Sequence, residues 1–267
     1  MSEIIKKGEP ISFEMVLKSA AGLPGVRIER EDFLSAALKP YFSDDIVNKA
    51  ILHNPAYAGI TVEQIDKIAR ASIRLETRNV SLLSFAAGIP GGLAMVGTVP
   101  ADLVQYFGHI LRILQKLIYL YGWQELFDEN GNMDDETANL LTLFAGIMFG
   151  VSGAANAIVK IAEQAAQKTA KRLAQKALTK GAIYPIVKKV AVALGFRMTK
   201  DIFAKGVSKL VPVIGGFASG GLTYLTYKPM AIKLQDHLST LKFADVDFYG
   251  NPLATSDLID VDPIVVE

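Results

Sequence analysis

The stretch from Ser84 to Trp123 constrains the fold more than any other part of the chain. It is apolar almost throughout, and its first half is rich in glycine and broken by Pro90 and Pro100. Its second half is typical of one long helix that is apolar nearly all round, with a narrow polar line. Such a helix is buried, because a surface helix keeps a wide polar face. Other helices must cover it, which predicts an all-α, multi-helix bundle with glycine-rich hydrophobic helical hairpins packed around a central helix.

The order of helical and turn segments predicts the domain organisation. Residues 1–10 are expected to form a flexible N-terminal tail, residues 11–242 a single helical domain, and residues 243–267 an acidic, disordered C-terminal tail. No convincing alternating strand pattern precedes residue 243. Thr61 and Gln64 stand three residues apart, in the spacing of a capping box, and predict the start of a helix that runs towards Thr77.

The polar line on the central helix is the first candidate site. Its members, spaced by three and four residues so that they share one helical face, are Asp102, Gln105, His109, Arg112 and Lys116. Charged groups in an otherwise apolar helix must pair, reach water or bind something. Three interpretations follow: a seam that simply reaches solvent, a polar network or site for a phosphate-like head group or partner, and a proton-transfer site.

Three long segments carry no charge: residues 79–101, 137–159 and 210–227. Each contains two glycines four residues apart, which permit close helix packing: Gly88 and Gly92, Gly146 and Gly150, Gly216 and Gly220. The segment 137–159 lacks proline and is the best match to a membrane-spanning length. The same spacing also suits tight pairing inside a soluble core, and that interpretation is favoured over insertion into a membrane.

Charge is strongly segregated along the chain, although the net charge is only +1. Residues 160–209 contain twelve Lys or Arg and two acids, whereas residues 243–267 contain six acids and no Lys or Arg. An anionic partner for the basic region is one explanation. The candidate anionic-surface contacts are Lys168, Lys171, Arg172 and Lys176 on an alanine-rich amphipathic helix. Because alanine buries little area, a solvated outer helix is the simpler interpretation of these four residues.

Several classes of chemistry lack their sequence signatures. There is no cysteine, which excludes disulfides, cysteine-ligated zinc and thiol catalysis. The three histidines are scattered without metal-ligand spacing, and no nucleophile elbow or P-loop occurs. The basic region is poor in aromatic residues, unlike a nucleic-acid groove. The N-terminus lacks the apolar core of a signal peptide. The sequence thus favours a non-enzymatic cytoplasmic protein without metal or cofactor, and leaves its oligomeric state open.

Five segments together resemble the EcsC family of bacterial proteins: LPGVRIEREDFL, NPAYAGI, SFAAGIPGGLAMVGTVPADLVQY, LQKLIYLYGW and VPVIGGFASGGLTY. The resemblance covers roughly residues 10–240. It implies an all-helical protein that is cytoplasmic or membrane-associated, since the name-giving member is encoded beside an ABC transporter, and it supplies no catalytic residues.

Three functional hypotheses follow. The first is a non-enzymatic, membrane-associated protein at the inner face of the cell membrane, either accessory to a membrane transport complex or lipid-binding. The second is a soluble protein with a ligand or catalytic pocket for a lipid-like molecule along the Asp102–Lys116 seam. The third is a pore former driven by the three glycine-paired segments.

Overall fold

The computed structural model describes residues 13–86, 95–96, 99–128, 131–167, 183–194 and 220–250. Within these ranges the chain forms ten α-helices, one turn of 3₁₀-helix at Lys242–Ala244 and one short antiparallel ladder. The helices are α1 (Phe13–Ala21), α2 (Arg30–Leu38), α3 (Asp44–Leu52), α4 (Val62–Ala86), α5 (Ala101–Leu120), α6 (Asp135–Met148), α7 (Ala154–Gln167), α8 (Tyr184–Leu194), α9 (Gly220–Leu238) and α10 (Val246–Tyr249). The ladder joins β1 (Met95–Val96) to β2 (Val99–Pro100). With two residues per strand it does not alter the class, and the predicted all-α fold is confirmed.

Local capping explains where two of the helices begin. The Thr61 amide donates to Gln64 Oε1 at 2.9 Å, and the Gln64 amide donates to Thr61 Oγ1 at 3.5 Å, so the capping box predicted for α4 is present. At α6, the Asp134 carboxylate accepts a hydrogen bond from the Thr137 amide at 2.7 Å. α4 extends beyond Thr77 because neither glycine nor proline interrupts residues 78–86.

α5 lies at the centre of the packing. It contacts α1, α2, α4, α6 and α9, and its described apolar side chains are buried. Just after it, the buried Trp123 packs edge-on against Phe144 of α6 at a ring separation of 4.9 Å and against Phe243 at 5.3 Å. Edge-to-face contacts of this kind stabilise a core beyond the area that they bury. The near-continuous apolar surface of the helix is therefore matched by neighbours on most sides.

The uncharged segment 137–159 is divided between two helices. α6 ends at Met148, and the chain turns through Gly150 and Gly153, whose φ angles of 73° and 92° lie in the left-handed region. α7 then begins at Ala154 and packs against α6. The residues of α6 from Thr137 to Met148, apart from the half-buried Asn139, are buried in the bundle. In this structure the best sequence candidate for a single span is therefore a turn between two packed helices.

The length and the apolar composition of a helix decide whether it can cross a membrane. None of the helices in the described ranges combines the length and the apolar character that a membrane crossing requires.

The packed domain extends past the boundary predicted at residue 242. Phe243, Ala244 and Val246 are buried. Asp245 caps α10 by accepting the Asp247 amide at 2.9 Å, and Gly250 ends it with a φ angle of 71°. The acidic composition misled the prediction here, because Asp245 and Asp247 are exposed while the apolar residues between and before them face the core. Residues 1–10 and 251–267 lie outside the described ranges.

Candidate functional site

The polar line of α5 faces α4 and the loop before α2. Gln105 is exposed, whereas His109, Arg112 and Lys116 are half-buried. Asp102 belongs to the first turn of α5, and its side chain lies outside the description. The structure therefore brings Arg112 and Lys116 into one polar cluster, places His109 near it, and leaves Gln105 exposed.

A buried carboxylate on α4, which the sequence prediction missed, completes this cluster. Glu76 has a side-chain exposure of only 1%. Its Oε1 accepts Lys116 Nζ at 2.7 Å and Arg112 Nη2 at 3.0 Å, and its Oε2 accepts Arg112 Nε at 3.4 Å. We call Glu76, Arg112 and Lys116 the ion cluster. A signal was present in the sequence, because Glu76 follows Ile73 by three residues on the apolar face of α4.

The two cations of the ion cluster have further contacts. Arg112 Nη1 donates to the backbone carbonyl of Gly25, in the loop between α1 and α2. Lys116 Nζ lies 5.6 Å from the centre of the Phe33 ring on α2, within the range of a cation–π contact. The ion cluster thus connects α4 and α5 to the loop and to α2. Among the described residues it holds two cations and one carboxylate.

The charge state of Glu76 follows from its neighbours. Burial acts to raise its pKa, but Lys116 and Arg112 together outweigh burial through charge and hydrogen bonds, so the pKa is lowered. Glu76 is therefore ionised at neutral pH. A buried carboxylate held ionised by two cations is suited to joining helices, and it is a poor general base because its proton affinity is low.

His109 lies near the ion cluster and carries a neutral ring. Burial lowers its pKa, and nearby Arg112 lowers it further against the opposing effect of Glu76, so the ring is neutral at neutral pH. Its Nδ1 is buried and has no hydrogen-bond partner among the described residues. Its backbone carbonyl accepts the hydroxyl of the buried Tyr227 at 3.0 Å, which joins α5 to α9.

A second polar side chain on α5, outside the predicted line, secures the same loop. The buried Gln115 accepts the Ile28 amide at 2.9 Å and donates to the Val26 carbonyl at 2.9 Å and the Leu111 carbonyl at 2.8 Å. One side chain thereby satisfies a donor and an acceptor of an irregular loop. Sequence periodicity did not identify it, because Gln115 lies next to the predicted polar line and not in it.

The predicted glycine contacts have different roles where the structure describes them. A Cβ added to Gly146 would lie 2.5 Å from Val190 Cγ1 of α8 and 2.9 Å from the Ala154 Cβ of α7. Gly146 thus sits where three helices approach closely, whereas Gly150 ends α6 in the left-handed conformation. Gly220 is the first residue of α9. Gly88, Gly92 and Gly216 lie outside the described ranges, as do Lys168, Lys171, Arg172 and Lys176.

α8 is a described part of the basic region, and its outer face is mixed. Val187, Val190 and Leu194 are buried on the inner face. On the outer face Tyr184, Lys188 and Val192 follow one another at intervals of four residues, with Lys189 beside them. Tyr184 is 45% exposed and Val192 is 75% exposed. Lys188 Nζ lies 4.9 Å from the centre of the Tyr184 ring. α8 contains no acidic residue.

Comparisons with protein-family models, with curated proteins and with solved structures found no match to this chain. The EcsC resemblance therefore stays a prediction.

Proposed function

We propose that this is a non-enzymatic, membrane-associated helical protein that binds anionic lipid peripherally at the inner face of the cell membrane. The observation that carries the proposal is the outer face of α8, where an exposed tyrosine and an exposed valine flank two exposed lysines. Tyrosine suits the membrane–water interface because its ring is apolar and its hydroxyl is polar. The lysines supply attraction to anionic head groups.

The expected binding is weak and depends on salt. Each lysine near an anionic surface contributes about 1 kcal/mol, and this contribution falls off within a Debye length. Two lysines with a small apolar contact do not anchor a protein by themselves. The remaining basic residues of 160–209, including Lys168, Lys171, Arg172 and Lys176, are proposed to add to the same attraction.

Vesicle flotation of the full chain tests this function. Binding is expected with phosphatidylglycerol-containing vesicles at low salt, and it should be lost at high salt or with purely zwitterionic vesicles. The double variant K188E/K189E should bind more weakly than wild type. The matched control is K67E/R74E, which reverses two exposed charges on α4. Failure of the wild type to float with any vesicle would overturn the proposal, as would equal losses in the two variants.

Dye-loaded vesicles separate this function from pore formation. A peripheral protein leaves the dye inside while it binds. Rapid dye release at protein concentrations that saturate binding would favour the third hypothesis, in which the glycine-paired segments insert and oligomerise.

The ion cluster supports a second candidate function, the binding of a lipid-like anion along the seam. Its described part holds two cations against the one carboxylate of Glu76, and Arg112 is partly exposed. A surplus cation attracts an anionic head group. Calorimetric titration with a soluble lysophospholipid tests this function, with R112Q compared against the exposed-site variant R74Q. Absence of binding to the wild type would remove the candidate.

EcsC-family membership would add the expectation of a transport complex nearby. That expectation is distinct from lipid binding, and co-purification from native membranes would test it. Recovery of the chain with the same integral membrane proteins after reciprocal tagging would support an accessory role, whereas recovery with lipid alone would contradict it.

A further inference from the structure

Four aromatic rings lie in a continuous row on the surface. They come from two parts of the chain that are distant in sequence. His53 and Tyr57 have ring centres 4.1 Å apart, Tyr57 and Tyr249 5.7 Å apart, and Tyr249 and Phe248 4.9 Å apart. Tyr57 is 42% exposed and Phe248 is 44% exposed. Leu52, which precedes His53 at the end of α3, is 75% exposed. We call these five residues the aromatic file.

Hydrogen bonds hold the aromatic file in place. The buried Asn54 donates through Nδ2 to the Tyr249 hydroxyl at 2.9 Å and accepts the Tyr57 amide through Oδ1 at 2.7 Å. The short helix α10, which presents Phe248 and Tyr249, is capped at both ends by Asp245 and Gly250. Exposed aromatic side chains that are already ordered lose little entropy on binding, which is the usual condition of an interface hot spot.

The parts of the chain that carry the aromatic file have a net charge opposite to that of α8. The charged residues of α3 and of residues 242–249 are four acids and two lysines, a net charge of −2: Asp44, Asp45, Asp245, Asp247, Lys49 and Lys242. All six are exposed. α8 carries Lys188 and Lys189 and no acid, a net charge of +2. Its exposed Tyr184 and Val192 supply apolar area that matches Leu52, Tyr57 and Phe248.

We propose that the aromatic file of one copy of this chain receives the outer face of α8 of a second copy. Both surfaces are exposed in the single chain, so they do not cover each other, and the contact lies between copies. If two such contacts can form at once, the product is a closed two-fold dimer; if they cannot, it is an open chain. The contact is small, and its charges are exposed, so the association is weak and weakens with salt.

This contact would also regulate lipid binding, because it occupies the same face of α8. Self-association itself does not depend on the proposed membrane function, since it requires only the two surfaces. Vesicles that bind α8 should compete with the second copy and return the protein to single chains on the lipid.

Sedimentation velocity of the full chain over a range of concentrations at low and high salt tests this proposal. The wild type should gain mass with concentration at low salt, and the gain should be lost at high salt. F248S should weaken association by about tenfold or more, as for a central aromatic contact. K188E/K189E and D247K should each weaken it. An equimolar mixture of these two variants should associate again, because α8 is unchanged in D247K and the aromatic file is unchanged in K188E/K189E.

The control variant K67E/R74E should associate like the wild type. A wild type that stays a single chain at every concentration would overturn the proposal, and so would association that F248S leaves unchanged.

F248S also separates the proposed self-association from the proposed lipid binding, because α8 is intact in this variant. If lipid binding fails in the wild type while self-association is lost in F248S, the membrane function alone is wrong. If F248S floats with vesicles and the wild type never self-associates, the contact alone is wrong.

Discussion

Two helices of this protein carry a mixed polar and apolar surface, and one of these surfaces is paired with a neighbouring helix while the other is exposed. On α5, the half-buried Arg112 and Lys116 face α4, where the buried Glu76 pairs with them. On α8, Tyr184 and Val192 point outwards beside two lysines. In the first case polar groups are enclosed by apolar neighbours, and in the second apolar groups are left exposed among charges. The comparison shows that cations alone do not mark a binding surface; what matters is whether the fold supplies them with a partner.

The largest predicted effect is at the inward-facing charges. Glu76→Ala leaves Arg112 and Lys116 without their carboxylate and should lower the free energy of unfolding by about 3–5 kcal/mol. Urea unfolding followed by circular dichroism measures this change. The matched control is Arg74→Gln at an exposed site on the same helix, which should change stability by no more than about 0.5 kcal/mol. A loss in Glu76→Ala as small as that in the control would mean that the ion cluster is not a structural element.

The loop before α2 should give the next largest effect. Gln115→Ala removes three hydrogen bonds and leaves the Ile28 amide and the Val26 carbonyl without this partner, which predicts a loss of about 1–3 kcal/mol. Hydrogen exchange should show faster exchange of the Ile28 amide. Gln105→Ala, at an exposed site on the same helix, is the control. Unchanged protection of Ile28 would show that Gln115 does not hold the loop.

Close packing behind α8 predicts a smaller effect. Gly146→Ala places a Cβ against Val190 and Ala154. Overpacking should lower the free energy of unfolding by about 1–3 kcal/mol, which exceeds the gain of up to about 1 kcal/mol from helix propensity. The loss in stability should be smaller when the same substitution is made in a Val190→Ala background. Equal losses in both backgrounds would contradict the close approach of α6 and α8 at this point.

The pH dependence of stability should show the smallest effect. Burial lowers the pKa of His109 below its ordinary value of about 6.5. As the pH falls below about 6.5, the folded chain therefore binds fewer protons at this site than the unfolded chain does. Stability is fully present above the unfolded pKa and decreases as the pH falls from there towards the lowered folded pKa. Unfolding measured between about pH 7 and pH 5 should show a shallower decrease in His109→Asn than in the wild type. Parallel curves would indicate that His109 is solvated in the folded chain.

Part of this architecture could be predicted from local sequence. The nearly uninterrupted apolar surface of residues 101–123 requires a buried helix, whichever elements cover it. The capping box at Thr61 and Gln64 can be recognised from four consecutive residues. The pairing partner of Arg112 could not be read in the same way. Glu76 lies on another helix, and local periodicity indicates only that it belongs to an apolar face, not what it meets there.

The glycines show a second limit of the sequence prediction. Gly146 and Gly150 have the spacing of two contacts on one helix face, but Gly150 and Gly153 adopt left-handed backbone and form a turn. Glycine serves both close packing and helix termination, so the spacing alone does not decide between one long span and two packed helices. The burial of α6 depends on neighbours far away in the sequence, which a window of apolar residues does not contain.

The central claim, that the outer face of α8 meets the membrane while the ion cluster stays inside, can be tested with one labelled residue. Because the chain has no cysteine, Val192→Cys provides a unique site for an environment-sensitive fluorophore, and Lys67→Cys on α4 provides a matched exposed control. On addition of anionic vesicles at low salt, we expect a blue-shifted and stronger emission at position 192 and little change at position 67. No change at position 192 on vesicles that bind the protein, or equal changes at both positions, would contradict the account.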